Sequence, residues 1–168
     1  MQLAVAYIKK ESFTHLSFEH LAQQLAVSKT AIHYHFKTKN DLGLAVCDYL
    51  MHNLTEEFHS YQAKGVSEPM QFLRQRIGQI AADEICPITS LQSDFFEFST
   101  ELQAQISELT NLETDIFTQV IAEKYGAKQA DYYTGIFLSL MKGSLFYQRT
   151  IPGDFRERAL HFMTENLN

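Results

Sequence analysis

Proline and glycine are scarce, at three and seven among 168 residues. A β-sandwich or barrel needs turn residues between many short strands, so this scarcity excludes both and points to helices. Cysteine is scarcer still. Cys47 and Cys86 stand far apart with no CxxC pair, which excludes a disulfide framework and suits a reducing compartment. No run of 18 apolar residues occurs, so no membrane-spanning helix is expected. The N-terminal MQLAVAYIKKESF puts its apolar residues ahead of its charges, the reverse of a secretory leader. Together these features predict a cytoplasmic chain. P-loop, GxGxxG, HExxH and GxSxG patterns are all missing, so nothing points to an enzyme, and no cofactor is expected.

What is present is a core. Hydrophobic residues make up 45% of the chain and charged residues 20%, enough apolar surface to fold and too little charge for disorder. The charge is unevenly placed. Residues 1–48 carry a net +1 with four histidines besides, whereas residues 49–168 carry −7. A lysine- and histidine-dotted head on an acidic body suits a head that meets nucleic acid.

Hydrophobic spacing predicts about nine helices. The first covers residues 2–11 with Ala4, Tyr7 and Ile8 on one face. The second covers 18–25, capped by Ser17, with Phe18, Leu21, Ala22 and Leu25 in one stripe. The third starts at the cap Ser28 and runs to Phe36, with Ile32 and Phe36 inward. Thr38 and Asp41 form a capping box for a fourth helix of about 25 residues, long enough to bridge head and body. A fifth opens at Ser67-Glu68-Pro69 and stops at Cys86-Pro87, and a short sixth reaches Phe98. Thr100 and Gln103 are expected to cap the seventh, which Gly126 ends. The eighth, residues 129–150, is apolar nearly all round, which is most simply explained by a second subunit covering one side. The ninth opens with Asp154 and Glu157 and shows Phe155, Ala159, Phe162, Met163 and Leu167 on one face.

The second and third helices, joined by Ala26-Val27-Ser28, form a helix-turn-helix candidate. The outward face of the third carries Lys29, Thr30, His33, Tyr34 and Lys37 and no carboxylate. Such a helix fits the DNA major groove, and its N-terminal amides attract phosphate. Spacing alone fits equally an ordinary helical corner with a solvated face.

The stretch from Phe13 to Val46 goes further. Phe13, Ser17, Leu21-Ala22, Val27-Ser28, Ile32, His33-Tyr34-His35-Phe36, Thr38-Lys39 and Asp41-Leu42 follow one another in an order that resembles the DNA-binding domain of TetR-family transcriptional regulators. The resemblance implies an all-α protein with a three-helix head over residues 1–48 and an effector-binding, dimerising body over residues 49–168. It implies phosphate contacts from Ser17, Ser28, His35 and Lys39, and base contacts from Lys29, Thr30, His33 and Tyr34. Departures occur: Ser12 and Ala26 replace usual glycines, Thr30 a frequent Gly or Pro, and His33 the usual Tyr. Thr30 and His33 leave the operator sequence open. The chain begins within the first helix, so the basic arm that many members lay in the minor groove is expected to be missing.

The body resembles the family more weakly, through Cys86-Pro87 and Met141-Lys142-Gly143-Ser144. The resemblance implies an effector pocket there, for which Phe72, Cys86, Phe95, Phe96, Phe117, Phe137 and Phe146 are candidates. Their chemistry would favour an apolar or aromatic ligand, although each also reads as plain core. Cys86, just ahead of a helix, could sense electrophiles or oxidants; as a small buried hydrophobe it needs no such role. His52, Glu56 and His59 share one side of the fourth helix but read as a solvated face rather than a metal site. Ser139 and Lys142 match an S-x-x-K pattern without its companion motifs.

These readings converge on a DNA-binding regulator, expected to be a homodimeric repressor. Its dimer would form through the last two helices, and a small effector would release it from operator DNA. The alternative is a helical sensor acting through protein contacts without specific DNA binding.

Overall fold

The computed structural model describes residues 1–65 and 68–166. Among these it has nine α-helices and no strand. They are α1 (Gln2–Lys10), α2 (Phe18–Leu25), α3 (Lys29–His35), α4 (Lys39–Ala63), α5 (Pro69–Gly78), α6 (Pro87–Ser93), α7 (Thr100–Tyr125), α8 (Ala127–Gln148) and α9 (Phe155–Asn166). Single 3-10 turns occupy Phe13–His15 and Phe95–Glu97. The fold is all-α, with a helix-turn-helix head and a helical body.

Local chemistry sets most helix starts. The amide of His20 donates to Ser17 Oγ and that of Ala31 to Ser28 Oγ, so both serines cap as their positions suggest. Thr38 and Asp41 form the reciprocal box at the head of α4: the Thr38 amide meets Asp41 Oδ2 at 2.9 Å, and the Asp41 amide meets Thr38 Oγ1 at 3.1 Å.

Several expectations are corrected. The fifth helix ends at Gly78, well before Cys86, because Glu84 folds back to accept from the Ala81 amide and closes a turn there. The cap of α7 is Ser99, whose hydroxyl accepts from the Leu102 amide; the Gln103 side chain instead donates to the carbonyls of Phe95 and Phe98. The sixth helix stops at Ser93, and its expected last turn is 3-10. Leu25, at the last position of α2, is 52% exposed, since the chain turns away immediately after it. On α9 the inward residues are Ala159, Leu160 and Met163, while Phe162 faces out. Ser67 and Leu167, assigned to the fifth helix opening and the ninth helix stripe, lie outside the described residues.

The α2 turn stores strain. Ala26 has φ 54° and ψ 39°, the left-handed region, where its amide closes onto Ala22 and Gln23 and the Val27 amide onto Ala22. A Cβ there is costly, and glycine has none. Ala26→Gly is therefore expected to stabilise the chain by about 1 kcal/mol, a rise of roughly 2–4 °C in Tm for a chain of this size. A melting curve that is unchanged or lowered would remove the strain argument.

The chain forms two compact units. The first takes in Met1–Asn53 and Pro87–Thr110, the second Leu54–Cys86 and Asn111–Asn168. In the first, α2 packs on α3 and α1 on α6 around Ile8, Phe13, Leu16, Leu42, Leu91 and Leu102. Gly43 of α4 permits this closeness: a Cβ there would lie 2.6 Å from Leu102 Cδ2 and 3.2 Å from Phe13 Cζ. In the second unit α8 packs on α9, and α5 also meets α9. Phe72 is the centre of its aromatic cluster, with Tyr61 at 5.2 Å and Phe117 at 5.4 Å between ring centroids. An ion pair crosses that interior between α7 and α8, where Lys142 Nζ lies 2.5 Å from Glu113 Oε2. The side chain of Glu113 is 1% exposed.

Candidate nucleic-acid interface

The candidate interface is on the first unit. The caps come first, because they fix where the short helices begin. Ser17 and Ser28 are both exposed, and each uses its oxygen as an acceptor for its own helix, leaving the hydroxyl proton free to point outward. Inward, Ile32 anchors α3 against the core. Everything the helix turns outward is then decided by the 3.6-residue period.

Lys29, Thr30, His33, Tyr34 and His35 are all exposed. Tyr34 is 85% exposed, an unusual placing for a large ring. It packs edge-on against His35, at 5.4 Å between centroids. His33 packs edge-on against Phe18 at 4.7 Å, which ties α3 to α2 and limits where that imidazole can swing.

A cleft of about 340 Å³ opens beside α3, lined by Ser17, Lys29, His33, Lys37, Thr38 and Lys39 along with Leu16 and Phe18. No acidic residue lines it. The exposed ammonium groups of Lys29 and Lys37 and two hydroxyls around one concavity form a site for a polyanion that presents phosphate oxygens. Lys37, expected on the outward face of the third helix, and Thr38, expected only as a helix cap, both belong to this lining, although neither was assigned a contact. Their position immediately after the helix end was the available signal.

Lys39 is the exception among the lysines. It is half-buried, and its ammonium donates to the Thr14 carbonyl at 2.6 Å while lying 5.4 Å from the Phe13 ring centroid. Burial holds its pKa below the ordinary lysine value, and the nearby Asp94 carboxylate acts in the opposite direction.

The pocket candidates divide. Phe72, Phe117, Phe137 and Cys86 are buried in the second unit, and Phe72 and Phe117 touch. Phe95 and Phe96 belong to the first unit, and Phe96 is 91% exposed, too open to line an enclosed pocket in its own unit. Phe146 is about half exposed on α8. Cys86 is buried, as is Cys47, whose thiol burial and the neighbouring Asp48 charge push up to about 12. Lys142, half of the S-x-x-K pattern, pairs with Glu113. Among the described residues no group of His, Cys, Asp and Glu is placed to hold a metal ion, and no helix is long and apolar enough to cross a membrane.

Comparisons bear on this geometry. Residues 1–46 match the family model for bacterial regulatory proteins of the tetR family. Over 99% of its length the chain superposes on 94% of a TetR transcriptional regulator from Legionella pneumophila, with a TM-score of 0.90 and 21% identity. A TetR-family regulator from Agrobacterium tumefaciens gives a TM-score of 0.83 at 20% identity, covering 98% of this chain and 93% of that one. The TetR-family regulator PfmR from Thermus thermophilus gives 0.66 at 16%, covering 98% and 94%. No curated protein matches the chain. The chain thus has a head that matches the tetR-family model over residues 1–46 and, from end to end, the fold of solved TetR-family regulators.

Proposed function

We propose that this chain is a repressor that binds operator DNA as a two-fold dimer and leaves it when a small effector enters the body. The observation that carries the DNA reading is the acid-free cleft beside α3, where Lys29, Lys37, Ser17 and Thr38 surround one concavity next to an exposed Tyr34. Phosphate contacts from Ser17, Ser28, Lys29, His35, Lys37 and Lys39 would set register and affinity. Thr30, His33 and Tyr34, with the stem of Lys29, would meet base edges.

In this reading residues 1–48 are the DNA-binding domain and residues 49–168 bind effector and dimerise. The dimer face is the outward side of the last two helices, where Tyr132 and Phe146 on α8 and Phe162 on α9 are exposed large apolar residues. Closure of that face would place two heads about one DNA turn apart, roughly 34–36 Å, on a near-palindromic site. The effector is an apolar or aromatic molecule taken up by the aromatic interior around Phe72, Phe117 and Phe137. It acts by preferring the body conformation whose heads misfit the operator.

Selection of bound fragments from random and genomic DNA, followed by salt titration of the best, tests the proposal. A near-palindrome whose affinity falls steeply with salt is the expected result. No enrichment by the whole chain would favour the sensor that acts through protein contacts.

A further inference from the structure

Lys39 stands between two clefts. One is the basic concavity beside α3. The other, also about 340 Å³, lies on its far side between the Phe13–His15 turn and the start of α7, and it is lined by Phe13, Thr14, Phe98 and Leu102. The ammonium is turned toward the second, onto the Thr14 carbonyl. That carbonyl is itself held in place. The Thr14 amide donates to Asp94 Oδ2 at 3.1 Å, across 80 positions of sequence. Asp94 precedes the 3-10 turn Phe95–Glu97 and belongs to the same compact unit as Thr14 and Lys39. Its carboxylate also attracts the Lys39 ammonium directly.

The geometry points to Asp94 as a positioning residue for DNA binding: through Thr14 it holds Lys39 away from the basic cleft, so that DNA phosphate and Asp94 compete for one ammonium. This inference rests on the DNA-binding reading above. The chemistry is a choice of partner. A lysine stem with four rotatable bonds reaches either side, and the ammonium goes where the stronger acceptor lies. Asp94 lies outside residues 1–46, in the segment that joins α6 to α7. Any event that shifts that segment therefore changes how firmly Lys39 is held, and the phosphate-binding face changes with it.

Asp94→Ala tests this, because it removes both the oxygen that holds the Thr14 amide and the charge that attracts Lys39. Two readouts are needed. The first is reductive methylation of Lys39, followed by mass spectrometry without DNA. The second is affinity for plain duplex DNA across a salt series. Faster labelling of Lys39 is expected, together with, for each head engaged, DNA binding tightened about threefold to tenfold and a salt slope steeper by about 1. In a Lys39→Ala background the gain should vanish. A gain that persists without Lys39 would reduce Asp94 to one negative charge among many and overturn the inference, as would unchanged labelling. If labelling rises while parent and variant both leave duplex DNA unbound, the restraint stands and the DNA-binding reading fails.

Discussion

Lys142→Met is expected to destabilise the chain by about 3–5 kcal/mol, the usual consequence of leaving a buried charge alone. Lys142 Nζ is the partner of Glu113 Oε2, and the second carboxylate oxygen, Oε1, is buried without a hydrogen-bond partner among the described residues. The pair thus has no reserve: once the ammonium goes, neither oxygen is compensated. For a domain of this size the loss corresponds to roughly 6–20 °C in Tm. The companion variant distinguishes a pair that stabilises from one that is merely tolerated. Removing both charges, with Glu113→Leu added to Lys142→Met, is expected to recover the parent stability to within about 1 kcal/mol, because an apolar pair needs no desolvation. Urea unfolding of the four proteins of the cycle gives the coupling directly. A single variant as stable as the parent would mean that Glu113 finds another partner or water, and the pair would not hold α7 to α8.

Lys29→Ala with Lys37→Ala is expected to weaken DNA binding on the order of 1,000-fold at physiological salt, if two heads bind together. Each phosphate contact releases about 0.9 counterion, a factor of roughly five at 0.15 M salt, and the double variant removes four contacts from a dimer. The slope of log affinity against log salt should fall by about 3.6 over the same change. Both lysines are exposed and line the basic cleft, so folding should be untouched and circular dichroism should match the parent. Loss of affinity with an unchanged slope would mean that the two side chains act through shape and not through charge.

Most of the head was legible because its signals are local. A serine cap, a Thr-x-x-Asp box and a stripe at i, i+3, i+4 each involve residues within one helical turn, so Ser17, Ser28, Thr38 and Ile32 were readable from spacing alone. The outward face of α3 was readable for the same reason, since a helix with one anchored side has only one other. The family order of residues then gave that face a purpose.

What failed depends on partners distant in sequence. No periodicity reveals that Lys39 turns onto Thr14, or that Asp94 holds Thr14 across 80 positions. The Glu113–Lys142 pair was equally hidden, because each residue alone looks like an ordinary surface charge. The stripes at Leu25 and Phe162 misled for another reason. A stripe tells which face is apolar, not whether anything in the same chain covers its end. The early stop of α5 turned on one glycine and one folded-back carboxylate in a stretch that otherwise favours helix.

The division of the chain also governs its synthesis. The first compact unit needs Pro87–Thr110 as well as Met1–Asn53, so its core cannot close when residue 53 leaves the ribosome. Leu91 and Leu102 have yet to be made, and Leu42 and Phe13 wait for them with their apolar surface open. At roughly 5–20 residues per second that wait lasts about 3–11 s. During it the helix-turn-helix is a nascent segment without the packing that Leu91 and Leu102 supply, a state that chaperones are suited to shelter. A fragment ending at residue 48 would lack Leu91 and Leu102 for good, so it is expected not to fold on its own.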